Sequence, residues 1–277
     1  MKKYALIVLA SIVAGCQKVS ILEELNNEEP VKTVVFDLGG WDVSTRGDLN
    51  ADGKDMTDLW VFDYVDDECV QTVHQTDGDE DFGSPAVPLS YGEHHIYFVA
   101  SRGEGAVVDG EIITWTKVRD TFWNYAAINV TASMGTQSVT LSRVVTKLKV
   151  TVTDAVPNGC ASIEISPSTW YKGFDYLTGE AADEVDDAVS SISVPSSYIG
   201  TSGQLQASVY GFSDEMVWNA DVAITARDGS GNNIGSVTIS DAPFKRNRST
   251  NFSGALFTTD GTFDIGLEDS WLTPVEL

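Results

Sequence analysis

The sequence predicts an all-β protein built from antiparallel sandwiches. Short apolar runs rich in Val, Ile, Phe, Tyr and Trp recur along it, and turns rich in Gly, Asp and Ser separate them. No long window repeats its apolar residues every 3.6 positions, as a helix would require. Length sets the number of units. Removing the first fifteen residues leaves 262 of the 277, which at about 150 residues per domain points to two domains. That is enough chain for two buried cores.

Met1 to Cys16 stands apart from this pattern. Lys2 and Lys3 give a basic start, Tyr4 to Ala14 is small and apolar, and Val13-Ala14-Gly15-Cys16 closes the stretch. The apolar run is too short to cross a bilayer about 30 Å thick, which takes about 20 helical residues. It reads as a secretory signal over residues 1–15. Val-Ala-Gly-Cys resembles a bacterial lipobox, in which the thiol is acylated with palmitate-type chains and the preceding bond is cut. Cys16 is the candidate lipidation site; an ordinary signal peptide that contains a cysteine is the alternative. Each buried CH₂ of an acyl chain contributes ~0.8 kcal/mol, and two chains hold a protein on a membrane where one lets go. The outer membrane is thereby an expected partner through the acyl chains. Residues 16–30, with Glu23, Glu24, Glu28 and Glu29, read as an acidic tether.

Loss of the signal moves the formal net charge from −24 to −26. Such a surface repels nucleic-acid phosphates, so DNA and RNA are not expected partners. Its ordinary role is solubility. Cys69 and Cys160 are too few for a disulfide framework. Two inert thiols, or one bridge between domains, both remain open.

Alternation begins at Val31. Lys32 to Leu38 is the first strand, and Gly39-Gly40 permits a bend before Trp41 and Val43. Asp58 to Val65 is a strong apolar strand, and Cys69 to His74 returns from it after an acidic turn, as in a hairpin. Ala86–Leu89, His95–Ala100, Glu111–Trp115, Ala126–Ala132 and Gln137–Leu141 continue the series. Arg143 to Thr153 alternates so cleanly that it marks the start of a second domain, giving units of 31–142 and 143–277. Val145, Leu148, Val150 and Val152 share one core face there only if a bulge near Thr146 absorbs the change of phase. Further strands are expected over Ala161–Ile165, Ser191–Val194, Gln204–Tyr210, Ala220–Ala226, Gly235–Ile239, Asn251–Phe257 and Thr262–Ile265. Glu180 to Asp187, acidic and alanine-containing, is the one segment suited to a helical turn.

No motif supplies catalytic chemistry, and no cofactor is expected. Asp48, Asn50 and Asp52 open like a calcium loop, but Leu59 stands where the bidentate acid belongs and a strand follows instead of a helix. The stretch reads as a solvated acidic turn. His94 and His95 point to opposite faces of one strand and cannot readily clasp one metal. A pocket joining His74 to acids would be needed to revive a hydrolase reading. Tryptophans in sandwiches are mostly core residues, although Trp41, Trp115 or Trp123 in an open groove would indicate glycan binding.

The carboxyl end carries a recognisable pattern. Ala242-Pro243-Phe244-Lys245-Arg246-Asn247-Arg248-Ser249-Thr250-Asn251-Phe252-Ser253-Gly254 is followed by Phe263-Asp264-Ile265 and Asp269-Ser270-Trp271. This resembles the closing hairpin of the fimbrillin-like lipoproteins of Bacteroidales type V pili. Arg143 to Thr153 is similar to the strand that opens their second domain. The resemblance implies two transthyretin-like sandwiches in tandem, exported as a lipoprotein to the cell outer membrane and assembled into adhesive fimbriae. It implies other fimbrial subunits as partners, with a host protein or glycan as a further candidate. In polymerising relatives an Arg-specific protease cuts beyond the first strand, and a neighbouring subunit's strand fills the groove. Here that assigns Thr33, Val34, Val35, Phe36, Leu38, Trp41 and Val43 to the displaced strand and makes Arg46 the candidate processing site, a plain surface arginine being the alternative. Only six residues follow Trp271, so an anchor, tip or accessory subunit is as well supported as a stalk subunit. A glycan-binding surface lipoprotein is the runner-up.

Overall fold

The computed structural model describes residues 30–39, 56–186, 188–213, 216–258 and 263–268. Cys16, Trp41, Val43, Arg46, Asp48, Asn50, Asp52 and Trp271 lie outside these residues, as do the signal and all of the tether before Pro30. Among the described residues the chain forms twenty strands and one short 3-10 turn at Ser196–Tyr198. The expected all-β architecture is what forms.

A first sandwich uses strands from the amino-terminal half. Its thin sheet has β1 (Val31–Gly39) between β4 (Ala86–Ser90) and β9 (Gln137–Thr140). Its broad sheet runs β10 (Ser142–Arg143), β8 (Thr121–Val130), β5 (Gly92–Ser101), β2 (Asp58–Val65) and β3 (Glu68–Thr76). Val34, Phe36, Leu38, Val87 and Leu89 of the thin sheet pack on Leu59, Val61, Ile96, Phe98 and Phe122. The β2–β3 hairpin closes through Asp66 and Asp67, both at positive φ (50° and 63°). That geometry matches the twist of the paired strands, and Asp tolerates it.

The second sandwich pairs one long sheet with a four-stranded one. The long sheet runs β20 (Phe263–Glu268), β19 (Ser249–Gly254), β11 (Val145–Val152), β16 (Leu205–Phe212), β13 (Thr169–Asp175), β7 (Ile112–Lys117) and β6 (Glu104–Asp109), and β14 (Glu180–Asp186) also pairs with β13. The other sheet is β15 (Ser190–Ser193), β12 (Cys160–Pro167), β17 (Trp218–Asp228) and β18 (Asn233–Phe244). Leu148, Val150, Val152, Ile163, Ile165, Val222, Ile224, Phe244 and Phe252 fill the space between them.

A third core joins the two. β2 is buried on both faces: Leu59 and Val61 enter the first sandwich, whereas Trp60, Phe62 and Tyr64 point the other way. They meet Ile113, Trp115, Phe174, Tyr176 and Phe212. Phe62 stacks on Tyr176 with ring centroids 3.8 Å apart and planes 4° from parallel. The hydroxyls of Tyr64 and Tyr176 lie 3.0 Å apart, and Tyr176 donates to the Gly110 carbonyl at 3.1 Å. The β6–β7 hairpin comes from the first half of the chain yet bonds to β13 of the second, with Phe174 opposite Ile113. Gly103, just before it, admits the Trp115 ring: a Cβ there would lie 2.3 Å from Trp115 Cδ1.

Three expectations change. Glu180 to Asp187 is not a helical turn; residues 180–186 form β14, because Asp175 to Glu180 closes a hairpin onto β13 and the ladder outweighs the modest helix preference of Ala and Glu. No bulge is needed near Thr146, since β11 pairs with β16 in unbroken register. Val145 belongs to the joining core instead, and Leu148, Val150 and Val152 to the second sandwich. Strands are not all antiparallel, as β1–β9 and β11–β19 run parallel. β6 and β13 carried too little alternation to be expected.

Because the joining core belongs to both sandwiches, wild-type urea transitions followed by tryptophan fluorescence and by far-UV circular dichroism should coincide. Tyr176→Ala should cost about 3–5 kcal/mol, the usual range for losing a large buried ring, and lower both signals together. Two separated wild-type transitions would contradict a shared core.

Candidate functional site

The site with the clearest functional geometry is the slot occupied by β1. Along this strand the side chains alternate, with Val34, Phe36 and Leu38 buried and Val31, Thr33 and Asp37 exposed. Phe36 lies under the Phe98 ring, centroids 5.1 Å apart. The strand's two edges bond to different neighbours. Val31 to Val35 run antiparallel to Ala86–Ser90, with Val34 opposite Val87, and Phe36 to Gly39 run parallel to Gln137–Thr140. Past β4 the ladder continues through loop backbone: Phe36 N donates to Pro85 O and Leu38 N to Gly83 O, each at 3.0 Å. The far end is closed by Leu141 N donating to Gly39 O at 2.7 Å.

Thr33 through Leu38, the described part of the expected displaced strand, therefore form one element in one slot. The strand was legible from its own alternation; its partners were not. Gly83, Pro85, β4 and β9 lie tens of residues away in sequence, and backbone pairing leaves no local mark on a side-chain pattern.

β11 holds the equivalent place in the second sandwich, between antiparallel β16 and parallel β19. Its setting differs. Val145, Thr146 and Lys147 are buried as well as Leu148, so both of its faces are covered near its start. Arg143, just before it, is locked to Asp120 by Nε–Oδ1 and Nη2–Oδ2 contacts of 2.5 and 3.0 Å. β1 has an exposed outer face, and of the two strands only it is joined to the rest of the described chain by residues 40–55.

A buried hydrogen-bonded pair braces the slot's wall. His94 Nδ1 lies 2.7 Å from Asp63 Oδ1, while Nε2 reaches the Ser90 carbonyl and hydroxyl, both at 3.1 Å, at the end of β4. The tautomer sets the roles: Nδ1–H can donate to the Asp63 carboxylate while Nε2 accepts from the Ser90 hydroxyl, or Nε2–H can donate to the Ser90 carbonyl. Burial pushes the Asp63 carboxyl above its usual 3.8, against the opposing hydrogen bond and charge of His94.

The other candidate residues are dispersed. His74 bonds Asp58 at 2.9 Å and stacks on Trp60, centroids 4.7 Å apart, on an exposed hairpin, where it props a tryptophan instead of joining a cluster of acids. His95 is exposed and bonds the Tyr125 hydroxyl at 2.5 Å; His94 points inward, so the two do take opposite faces. Neither Cys69 nor Cys160 forms a disulfide, and burial pushes Cys160 up from its usual value. Trp115 is buried in the joining core and cannot stack on a sugar. Trp123 is half-buried, donates its indole N–H to Tyr176 O at 2.8 Å, and lines a second recess.

Residues 92–276 match a family described as one of unknown function, DUF6562. The chain belongs to that family. No curated protein matches the sequence. Several solved structures share the fold of this DUF6562 protein. A candidate adhesin from Bacteroides ovatus is 13% identical with a TM-score of 0.52, covering 83% of this chain and 88% of its own. A candidate polysaccharide-binding protein from Bacteroides thetaiotaomicron is 10% identical with a TM-score of 0.51, covering 88% and 98%. The tip fimbrial protein Mfa3 from Porphyromonas gingivalis is 11% identical with a TM-score of 0.47, covering 86% and 99%. The neighbours with TM-scores above 0.5 are described as candidate adhesins and a candidate polysaccharide-binding protein of Bacteroides species. At these identities the likeness is one of fold, and it agrees with the fold that the fimbrillin-like resemblance implies.

The Asp63–His94 pair gives a pH test. A carboxyl raised in the folded state holds its proton more tightly folded than unfolded. Its contribution to stability is full below the usual value and fades as pH rises through the raised one. Asp63→Asn removes that fading. The unfolding free energy of wild type minus D63N should fall as pH is raised above about 4 in urea melts.

Proposed function

We propose that this DUF6562 protein is a non-enzymatic, lipid-anchored fimbrial subunit of the cell surface that assembles by β-strand addition and serves adhesion. Acylation at Cys16 would tether it to the outer membrane, and cleavage at Arg46 would free β1 for exchange with a strand of a neighbouring subunit. The observation that carries the reading is the setting of β1: a middle strand, buried on one face, bonded on both edges and open on the other face. Removing it would bare three side-chain pockets and two rows of backbone N–H and C=O groups, which is what an incoming strand needs. The description of proteins with this fold as candidate adhesins supports the same reading.

The arginines add to it. The six described ones, Arg102, Arg119, Arg143, Arg227, Arg246 and Arg248, are all buried or half-buried, and each is held by an ion pair or hydrogen bond. That leaves Arg46 as the arginine best suited to a protease. Cutting would not by itself expel the strand. Burial of Val34, Phe36 and Leu38 contributes about 1.5–3 kcal/mol each, so a competing strand must replace what is lost.

Arg-specific protease acting on the full chain should cut at Arg46 and yield a ladder of oligomers on native gels, while Arg46→Gln stays monomeric. A protein that is completely cut yet remains monomeric would count against polymerisation. Phe36→Ala, which empties the central pocket, should cost about 3–5 kcal/mol and let β1 leave sooner after cutting, as followed by mass spectrometry. Cys16→Ser should move the protein from the membrane to the soluble fraction; membrane retention of that variant would exclude the acyl tether.

A further inference from the structure

The densest run of positive charge, Lys245-Arg246-Asn247-Arg248, is a fixed turn between β18 and β19. Arg248 N donates to Lys245 O at 3.2 Å and Asn247 N to Val145 O at 2.8 Å. The Arg248 carbonyl accepts from Lys147 N at 3.0 Å and from Thr146 Oγ1 at 3.2 Å. Asn247 sits at φ 55°, the left-handed region that Asn tolerates better than most side chains. The Arg246 guanidinium is held as well, donating to Ser213 O at 2.9 Å and to Gly179 O. The turn backbone and the Arg246 guanidinium are therefore placed before any ligand arrives, which lowers the entropy cost of binding one.

The turn faces Trp123, Asn124, Ser142, Arg143 and Val144 across a cleft of about 440 Å³. Arg143 forms its floor. Its Nε and Nη2 grip Asp120, whose carboxylate also takes Arg102 at 3.2 Å, and its Nη1 reaches Asn247 Oδ1 at 3.3 Å. One carboxylate is thus shared by two guanidiniums. Arg143, Lys245, Arg246 and Arg248 converge on this cleft in a chain of net charge −24. A cleft lined by one sign of charge between low-dielectric walls focuses the field and draws the opposite charge.

We propose that this cleft binds an acidic polysaccharide through a uronate unit, the sugar carboxylate lying on Lys245 and Arg248 and the ring against the Trp123 wall. The mixed lining favours a sugar over a bare anion: an aromatic surface, an exposed Ser142 hydroxyl and fixed cations together suit a ring bearing both hydroxyls and a carboxylate. A concave recess of this size holds one or two sugar rings, whereas an anionic membrane would call for a flat or convex basic face. The cleft contains no residue of β1, so it holds or fails independently of strand exchange.

The test is isothermal titration of the full chain with tetragalacturonate and with its methyl-esterified, uncharged counterpart. Binding of the acid should weaken as salt is raised, and the ester should bind at least about tenfold more weakly. The double variant Lys245→Ala, Arg248→Gln should lose a comparable factor, with its melting temperature reporting on the fold. Lys245→Ala alone serves if the double variant is unstable, and Lys245→Arg should retain binding. Equal affinity for acid and ester, or unchanged affinity of the variants, would overturn the proposal. So would binding of polyglutamate or phosphatidylglycerol vesicles as tight as that of the oligosaccharide.

Discussion

A strand that is apolar on both faces sets the terms for the rest of this molecule. In an ordinary sandwich a strand buries one face and wets the other. β2 buries Leu59 and Val61 on one side and Trp60, Phe62 and Tyr64 on the other. Leaving three large rings in water would forgo on the order of 1.5–3 kcal/mol for each. The cover comes from β7, β13, β16 and the Tyr176 turn, and it brings with it the stacked Phe62–Tyr176 pair and the Tyr64–Tyr176 hydroxyl contact. That cover also explains why the β6–β7 hairpin leaves its own half of the chain and extends the other half's sheet. The two sandwiches are joined through a core, not hung on a linker.

The strands of the first sandwich are committed to different degrees. β2 of the broad sheet is covered on both faces and cannot leave without opening two cores. The thin sheet is committed on one. Within it β1 is the strand attached through residues 40–55, and it presents Thr33 and Asp37 outward while Val34, Phe36 and Leu38 fill pockets. β11 shows the contrast: the same position between an antiparallel and a parallel neighbour, but covered on both faces at its start and clamped through Arg143 to Asp120. Two strands of equal topology thus differ in how far they are buried.

Charge divides the surface in a similar way. The acids spread over turns and exposed strand faces, where water screens them and they contribute mainly to solubility. The cations are fewer and mostly held: Arg227 with Glu164, Arg102 and Arg143 with Asp120, Arg119 with Glu104. The β18–β19 turn gathers three cations on a rigid backbone beside a fourth, Arg143.

Much of this was legible from the residues in order. Alternation in Lys32–Leu38 located β1, the apolar density of Asp58–Val65 marked a strong strand, and the acidic turn before Cys69 announced a hairpin. Each of these is a local consequence of side-chain size, polarity and backbone preference. Glu180–Asp186 went astray because its ladder is supplied by β13, and Val145 because its cover is supplied by Phe212 and neighbours. The cleft at Trp123 was out of reach since Arg143 and Lys245 meet across about a hundred residues. By itself the chain determined that it would be β throughout, where most strands would lie and which side of each would be apolar. Tertiary structure alone decided which strands share a sheet and which faces are covered twice, because partners in a sheet are chosen by shape and burial between segments far apart in the chain.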